Sequence, residues 1–119
     1  LLGARMPRQE LIGETGRTDT FRLLHQAKGV LLDFTDDADR RRLASGWADR
    51  VDLVTASMPD LAPGSPLADT DGVLIRPDGH VVWTAPDGGD LRDQLERWFG
   101  AGPREDLRRR VGGILTPVR

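Results

Sequence analysis

The sequence predicts an α/β fold with a central mixed sheet: a β-α-β unit, then a β-hairpin, then a helix. Three observations predict it. Asp71 to Thr84, reading DGVLIRPDGHVVWT, places two apolar runs on either side of Pro77-Asp78-Gly79. Proline presets φ for a type I turn, and glycine takes the left-handed conformation that closes it with a bulge. Val73, Leu74 and Ile75 on one side and Val81, Val82 and Trp83 on the other are apolar at odd and even positions alike, so both faces of this sheet are covered. Two further apolar runs, Val30 to Phe34 and Val51 to Ser57, are separated by one helix-length segment, which is how parallel strands are joined by a right-handed crossover. Finally, Leu91, Leu95, Trp98 and Phe99 recur at i, i+4, i+7 and i+8 behind Asp90, the clearest amphipathic pattern in the chain.

In chain order, Leu1 to Gly16 is an extended or looping lead-in broken by Gly3, Pro7, Gly13 and Gly16, with at most one edge strand expected, around Glu10 to Ile12. Thr18 to Gln26 is a short helix capped by Thr18 or Asp19, with Phe21, Leu24 and His25 on one side, and Gly29 ends it. Asp36 to Arg50 is the first long helix, capped by Asp36 or Asp37 and burying Leu43 and Trp47. Gly46 weakens it by about 1 kcal/mol relative to alanine. Met58 to Thr70, with Pro59, Pro63, Gly64 and Pro66, is a long irregular connection, and Gly100 stops the helix that begins at Asp90. Arg104 to Val111 forms one more short helix before a loose tail. The whole order is that of the thioredoxin-like core. Residues 1–100 are its expected extent, with 101–119 as an extension. Trp47, Trp83 and Trp98 are expected inside, with Leu32, Phe34, Leu53, Ile75, Leu95 and Phe99.

A chain of 119 residues holds a real core without staples, and its lack of cysteine excludes disulfides, cysteine-based zinc sites and thiol redox chemistry. The net charge of -2 is dispersed, although the basic residues are sixteen arginines and one lysine, Lys28. No stretch has the length of a membrane span or the build of a signal peptide, so a cytoplasmic protein is expected. The start at Leu1 rather than Met suggests a piece of a larger polypeptide.

The string VLIRPDGHVVW, Val73 to Trp83, followed by a short loop and an amphipathic helix, resembles the C-terminal domain of the FAD-dependent aromatic hydroxylases. These flavoprotein monooxygenases include polyketide and phenol hydroxylases, and their last domain carries a segment similar to LVRPDGYVAWR. Gly3-Ala-Arg-Met-Pro7 and Gly29-Val-Leu-Leu-Asp33 extend the likeness more loosely. The resemblance implies a thioredoxin-like domain without a redox site, appended to FAD-binding and substrate-binding domains. FAD and NADPH then belong to the parent enzyme, upstream of Leu1. The tyrosine found where this chain has His80 implies a surface role for that position.

The residues agree with an absence of catalytic machinery. Where a thioredoxin would carry Cys-x-x-Cys, this chain has Thr35-Asp36-Asp37-Ala38. Asp36, Asp37 and Asp39 have the composition of a Mg²⁺ or Ca²⁺ loop, but aspartate is equally the residue of helix caps and first turns, and Asp69-Thr-Asp71 suits a solvated loop. His25 and His80 lack a Ser or Cys partner in any nucleophile motif. Gly89-Asp90 and Asp71-Gly72 lie outside the surroundings that flavin-binding motifs require, and no Gly-x-Gly-x-x-Gly turn is present. The runs Arg40 to Arg42 and Arg108 to Arg110 have acidic neighbours and no interleaved aromatics, which speaks against nucleic acid. No catalytic, cofactor-binding or metal residue is therefore assigned. Two readings follow: a non-catalytic, packing domain of an FAD- and NADPH-dependent aromatic-ring monooxygenase, or a free-standing, redox-inactive binding module. In the first, the partners are the upstream domains or a second copy, reached through Leu1, Leu2, Met6, Ile114, Leu115 and Val118.

Overall fold

The computed structural model describes residues 1–102. In chain order the elements are β1 (Glu10–Gly13), β2 (Gly16–Asp19), α1 (Thr20–Leu24), β3 (Gly29–Asp33), α2 (Ala38–Ala44), a 3₁₀ turn (Ser45–Trp47), β4 (Val51–Ser57), β5 (Gly72–Ile75), β6 (Val81–Ala85) and α3 (Leu91–Phe99). The strands form one mixed sheet of order β2-β1-β4-β3-β5-β6. As expected, β3 and β4 are parallel, with Leu31 opposite Leu53, and β5 and β6 form an antiparallel hairpin whose first strand lies beside β3.

Both faces of this sheet are covered, which is why β3 and β5 are buried at every position. Val30, Leu32, Val73, Ile75 and Val81 point into one core with Met6, Leu11 and Leu67; Leu23 and Leu24 of α1 and Met58 and Leu61 of the long connection lie over it. Leu31, Val51, Leu74 and Trp83 point into the other, under Ala44, Trp47, Leu91 and Leu95. The hairpin turn forms as the Pro-Asp-Gly sequence demands: the Gly79 N–H donates to the Arg76 carbonyl at 2.8 Å, and Gly79 adopts a φ of +95°. A bulge follows it. Ile75 pairs with Val81 but Leu74 with Trp83, so Val82 is the extra residue, and Val81 and Trp83 face opposite cores.

Four expectations are corrected. The segment after β3 is not one helix to Arg50, because α2 ends at Ala44 and tightens into the 3₁₀ turn around Gly46, which delivers Trp47 into the core. The helix expected from Thr18 is shorter and starts at Thr20, since Gly16 to Asp19 form a strand against β1. Trp98 is not buried: it is 39% exposed, while Phe99 packs toward Gly29. Met6, expected to reach a partner, is instead in the core, with Leu1 packed against it. Trp47, Trp83, Leu32, Ile75 and Leu95 are buried as expected, and Phe34, Leu53 and Phe99 are half-buried. The helix expected at Arg104 to Val111 and the tail residues Ile114, Leu115 and Val118 lie outside the described residues.

The turn after β6 depends on a close backbone approach. A Cβ on Gly88 would lie 2.0 Å from the Thr84 carbonyl oxygen, whereas one on Gly13 meets nothing nearer than 3.7 Å. Gly88→Ala is expected to destabilise by about 1–3 kcal/mol, the usual range for overpacking that forces a backbone shift. Gly13→Ala should be near neutral, and urea midpoints of the two variants check the contrast.

Candidate functional site

Two regions gather the polar and aromatic residues, one at each end of β3. At its C-terminal end the Asp33 side chain is fully buried. One carboxylate oxygen accepts the Thr35 N–H and hydroxyl, each at 3.2 Å, and Arg40 Nη1 at 2.9 Å; the other accepts the Asp37 N–H at 2.8 Å. Arg40 lies over the Trp83 ring, 5.5 Å from its centroid, and also donates to the Asp71 carbonyl at 3.3 Å. Gly72 makes room for this stack, since a Cβ there would meet Arg40 Nη1 at 3.3 Å and the Trp83 ring at 3.4 Å. The turn between β3 and α2 is thus a closed ion-pair network.

The acidic cluster resolves into separate roles. Asp37 caps α2, accepting the N–H groups of Asp39 and Arg40, and the Arg40 N–H is the leading reason its carboxyl is held below the ordinary 3.8. Asp36 takes the left-handed conformation at φ 55° and pairs with Arg41, while Asp39 pairs with Arg42 at 3.2 Å. Among the described residues no three His, Cys, Asp or Glu side chains are gathered to hold a metal ion. Asp71 contributes through its backbone, accepting the Phe34 N–H at 2.9 Å and donating to Ala85 at 2.8 Å. Gly89-Asp90 is a helix start, with the Asp90 side chain accepting the Arg92 N–H and the Gly89 carbonyl accepting Trp83 Nε1. A dinucleotide's pyrophosphate needs free N–H groups at a helix N-terminus. At α2 and α3 an aspartate already occupies that place, so these residues do not fit FAD.

The other region surrounds the hairpin tip at the N-terminal end of β3. The lead-in runs along the outer edge of β6: Gly3 N–H donates to the Val81 carbonyl, Val81 N–H to Ala4, and Met6 N–H to Gly79. A groove of about 480 Å³ lies on one side of it, lined by Leu2, Val82, Arg76, Arg97 and Trp98. The Trp98 ring sits between two guanidiniums, Arg76 at 4.8 Å and Arg97 at 5.2 Å from the centroid. A second groove, about 310 Å³, lies on the other side, between Arg5, Met6 and the α1 face of Phe21, Leu24 and His25. His80 Nδ1 lies 3.3 Å from Asp78. Neither histidine meets a nucleophile there. Arg108 to Arg110 lie outside the described residues. Sequence reasoning missed these grooves, since their walls come from segments far apart in the chain.

The family profile described as "Aromatic-ring hydroxylase, C-terminal" matches residues 1–102. The chain belongs to that family. It is 42% identical over 104 residues to the 12-dehydrotetracycline 5-monooxygenase/anhydrotetracycline 6-monooxygenase of Streptomyces rimosus subsp. rimosus, a match that covers 84% of this chain and 20% of that protein. Among solved structures it resembles CabE, an aromatic hydroxylase from angucycline biosynthesis, with 54% identity and a TM-score of 0.83 over 86% of this chain and 21% of that one. It also resembles the flavin-dependent monooxygenase PieE, solved with FAD and substrate, at 25% identity and a TM-score of 0.59 over 81% of this chain and 19% of that one. The chain thus spans about a fifth of the length of the relatives it matches. No helix among the described residues is long and apolar enough to cross a membrane.

Two predictions follow from the two ends. Removing one partner of a buried ion pair costs about 3–5 kcal/mol, and Asp33 keeps three other donors, so Arg40→Ala is expected near the lower figure. Arg42→Ala, which removes an exposed pair, should change stability by less than about 1 kcal/mol. Denaturant unfolding of both checks this. At the hairpin, the Arg76 side chain and the His80 N–H hold the Asp78 carboxyl down to about 2. Because the folded value is below the ordinary 3.8, whatever stability Asp78 adds is fully present above pH 3.8 and lost as pH falls toward 2. A carboxyl NMR titration should show Asp78 among the last side chains to protonate.

Proposed function

We propose that this chain is the non-catalytic C-terminal domain, thioredoxin-like in fold, of an FAD- and NADPH-dependent aromatic-ring monooxygenase. One observation carries the reading: residues 1–102 match a C-terminal hydroxylase family, whereas the relatives are about five times as long as the matched region. The strand order supports the fold assignment, with β4-β3-β5-β6 forming a parallel pair followed by an antiparallel hairpin. The chemistry of the domain's own site supports the role. Its three α-helix N-termini are capped by Asp19, Asp37 and Asp90, Asp33 is committed to Arg40 and the chain has no cysteine, which speaks against a flavin phosphate or a thiol reaction there. In the parent, flavin and NADPH chemistry on an aromatic substrate belongs to the preceding portion, and this domain packs against it.

The test is flavin binding in two forms of the protein. The isolated chain, mixed with FAD and dialysed, should retain none by absorbance near the flavin bands. The full-length polypeptide should purify yellow and oxidise NADPH in the presence of an aromatic substrate. An isolated chain holding stoichiometric flavin, or a full-length protein lacking it, would overturn the reading.

A further inference from the structure

A third groove, of about 570 Å³, lies between α2 with its 3₁₀ turn and the start of α3, and the described residues end in it. The chain is led there by fixed contacts. Gly100 ends α3 with a φ of 83°. Arg50 Nη1 donates to the Phe99 and Ala101 carbonyls at 2.6 and 3.1 Å, and Trp47 Nε1 to that of Gly100 at 2.7 Å. Gly102 then passes so close over the Trp47 ring that a Cβ there would meet it at 3.0 Å. It is buried, and it lines the groove with Leu43, Trp47, Asp39, Arg42 and Arg92. Leu43 is only half-buried where it packs against the Trp47 core. Arg42 stands at the rim with its side chain 77% exposed, paired with Asp39 at 3.2 Å, and Arg92 lies over the Trp47 ring, 5.6 Å from its centroid.

We propose that the next residues of this same chain, Pro103 to Leu107, continue along this groove and seat Leu107 against Leu43 and Trp47. Three arguments select that occupant. The first is the tether: the chain already enters the groove at Gly102, so the segment is held there at high effective concentration. Five residues reach about 17 Å when extended and about 7.5 Å as helix. Asp39 and Leu43, one turn of α2 apart, are separated by about 6 Å along its axis, so Leu107 can reach Leu43 in either conformation. The second is charge. The rim carries Arg42 and Arg92 against the single carboxylate of Asp39, whereas the segment carries Glu105 and Asp106 against the single guanidinium of Arg104. The third is the apolar content: Leu107 is the first large aliphatic side chain after Gly102, and the half-covered Leu43 is its complement. The family match stops at residue 102, so this seat is a property of this chain, and it does not depend on the function proposed above.

Nuclear Overhauser spectroscopy of the unmutated 119-residue chain, with labelled methyl and aromatic groups, tests the proposal. Cross-peaks are expected from the Leu107 methyls to the Leu43 methyls and the Trp47 ring. Leu107→Asp is expected to abolish the contact and to shift the Leu43 methyl resonances, leaving those of Ile12 in place. Absence of the cross-peaks in the unmutated chain would overturn the proposal, as would Leu43 resonances that Leu107→Asp does not move. Cross-peaks that arise only between labelled and unlabelled copies in an isotope-filtered spectrum would also overturn it, because the segment of a second copy would then fill the groove.

Discussion

The buried carboxylate of Asp33 is the constraint on which the arrangement of this domain depends. A charge taken fully out of water is tolerated only with an opposite charge and donors for its remaining lone pairs. Asp33 obtains them from one turn of chain and one helix: Thr35, the Asp37 N–H and Arg40. That requirement fixes where α2 begins relative to β3. Arg40 then reaches the Asp71 carbonyl at the start of β5 and lies over Trp83 on β6, so a single ion pair ties the central strand, the helix and the hairpin together. The opposite end of the sheet is locked by a different device. Trp47 Nε1 donates to the Gly100 carbonyl at 2.7 Å and Arg50 to those of Phe99 and Ala101, which satisfies the free carbonyls where α3 ends.

The same network engages the polar groups of the β3–α2 turn. A helix N-terminus activates a thiol or holds a phosphate through its free N–H groups and positive dipole end. Here those N–H groups are directed to Asp37 and Asp33. The hairpin tip, with Arg5 and Arg76 beside it, lies at the opposite end of β3, since Asp33 pairs with Gly72 and Val30 with Ile75. The C-terminal end of β3 is therefore closed by its ion-pair network, while grooves flank the lead-in at the hairpin end.

Local signals made much of this legible. The Pro77-Asp78-Gly79 turn, the unbroken apolar runs of β3 and β5 and the Asp90 cap are each determined within a few residues, and they stand where the sequence placed them. What was not legible was decided at long range. Strand β2 reads Gly-Arg-Thr-Asp, without an apolar pattern, and exists because β1 pairs with it. Trp98 and Phe99 follow Leu91 at i+7 and i+8, both within the arc of a buried helix face; the edge of the sheet decides between them, because Trp98 overhangs β6 beside Val82 while Phe99 reaches Gly29. No motif announces the grooves, which join residues from the lead-in, α1, the hairpin and α3.

The two edges of the sheet are protected in different ways, and the difference bears on association. An open edge strand is a template for pairing with another chain. At β2 the edge is four residues long and carries Arg17, paired with Glu10 at 3.6 Å, so it is short and charged. At β6 the edge is covered by the lead-in, through backbone hydrogen bonds at Gly3, Val81 and Met6. The segment that seals this edge also walls both grooves, and it has few apolar anchors of its own beyond Met6 and Leu1. The β6 edge is thus sealed by backbone pairing with a segment of the same chain, whereas the β2 edge is guarded by its short length and its charge.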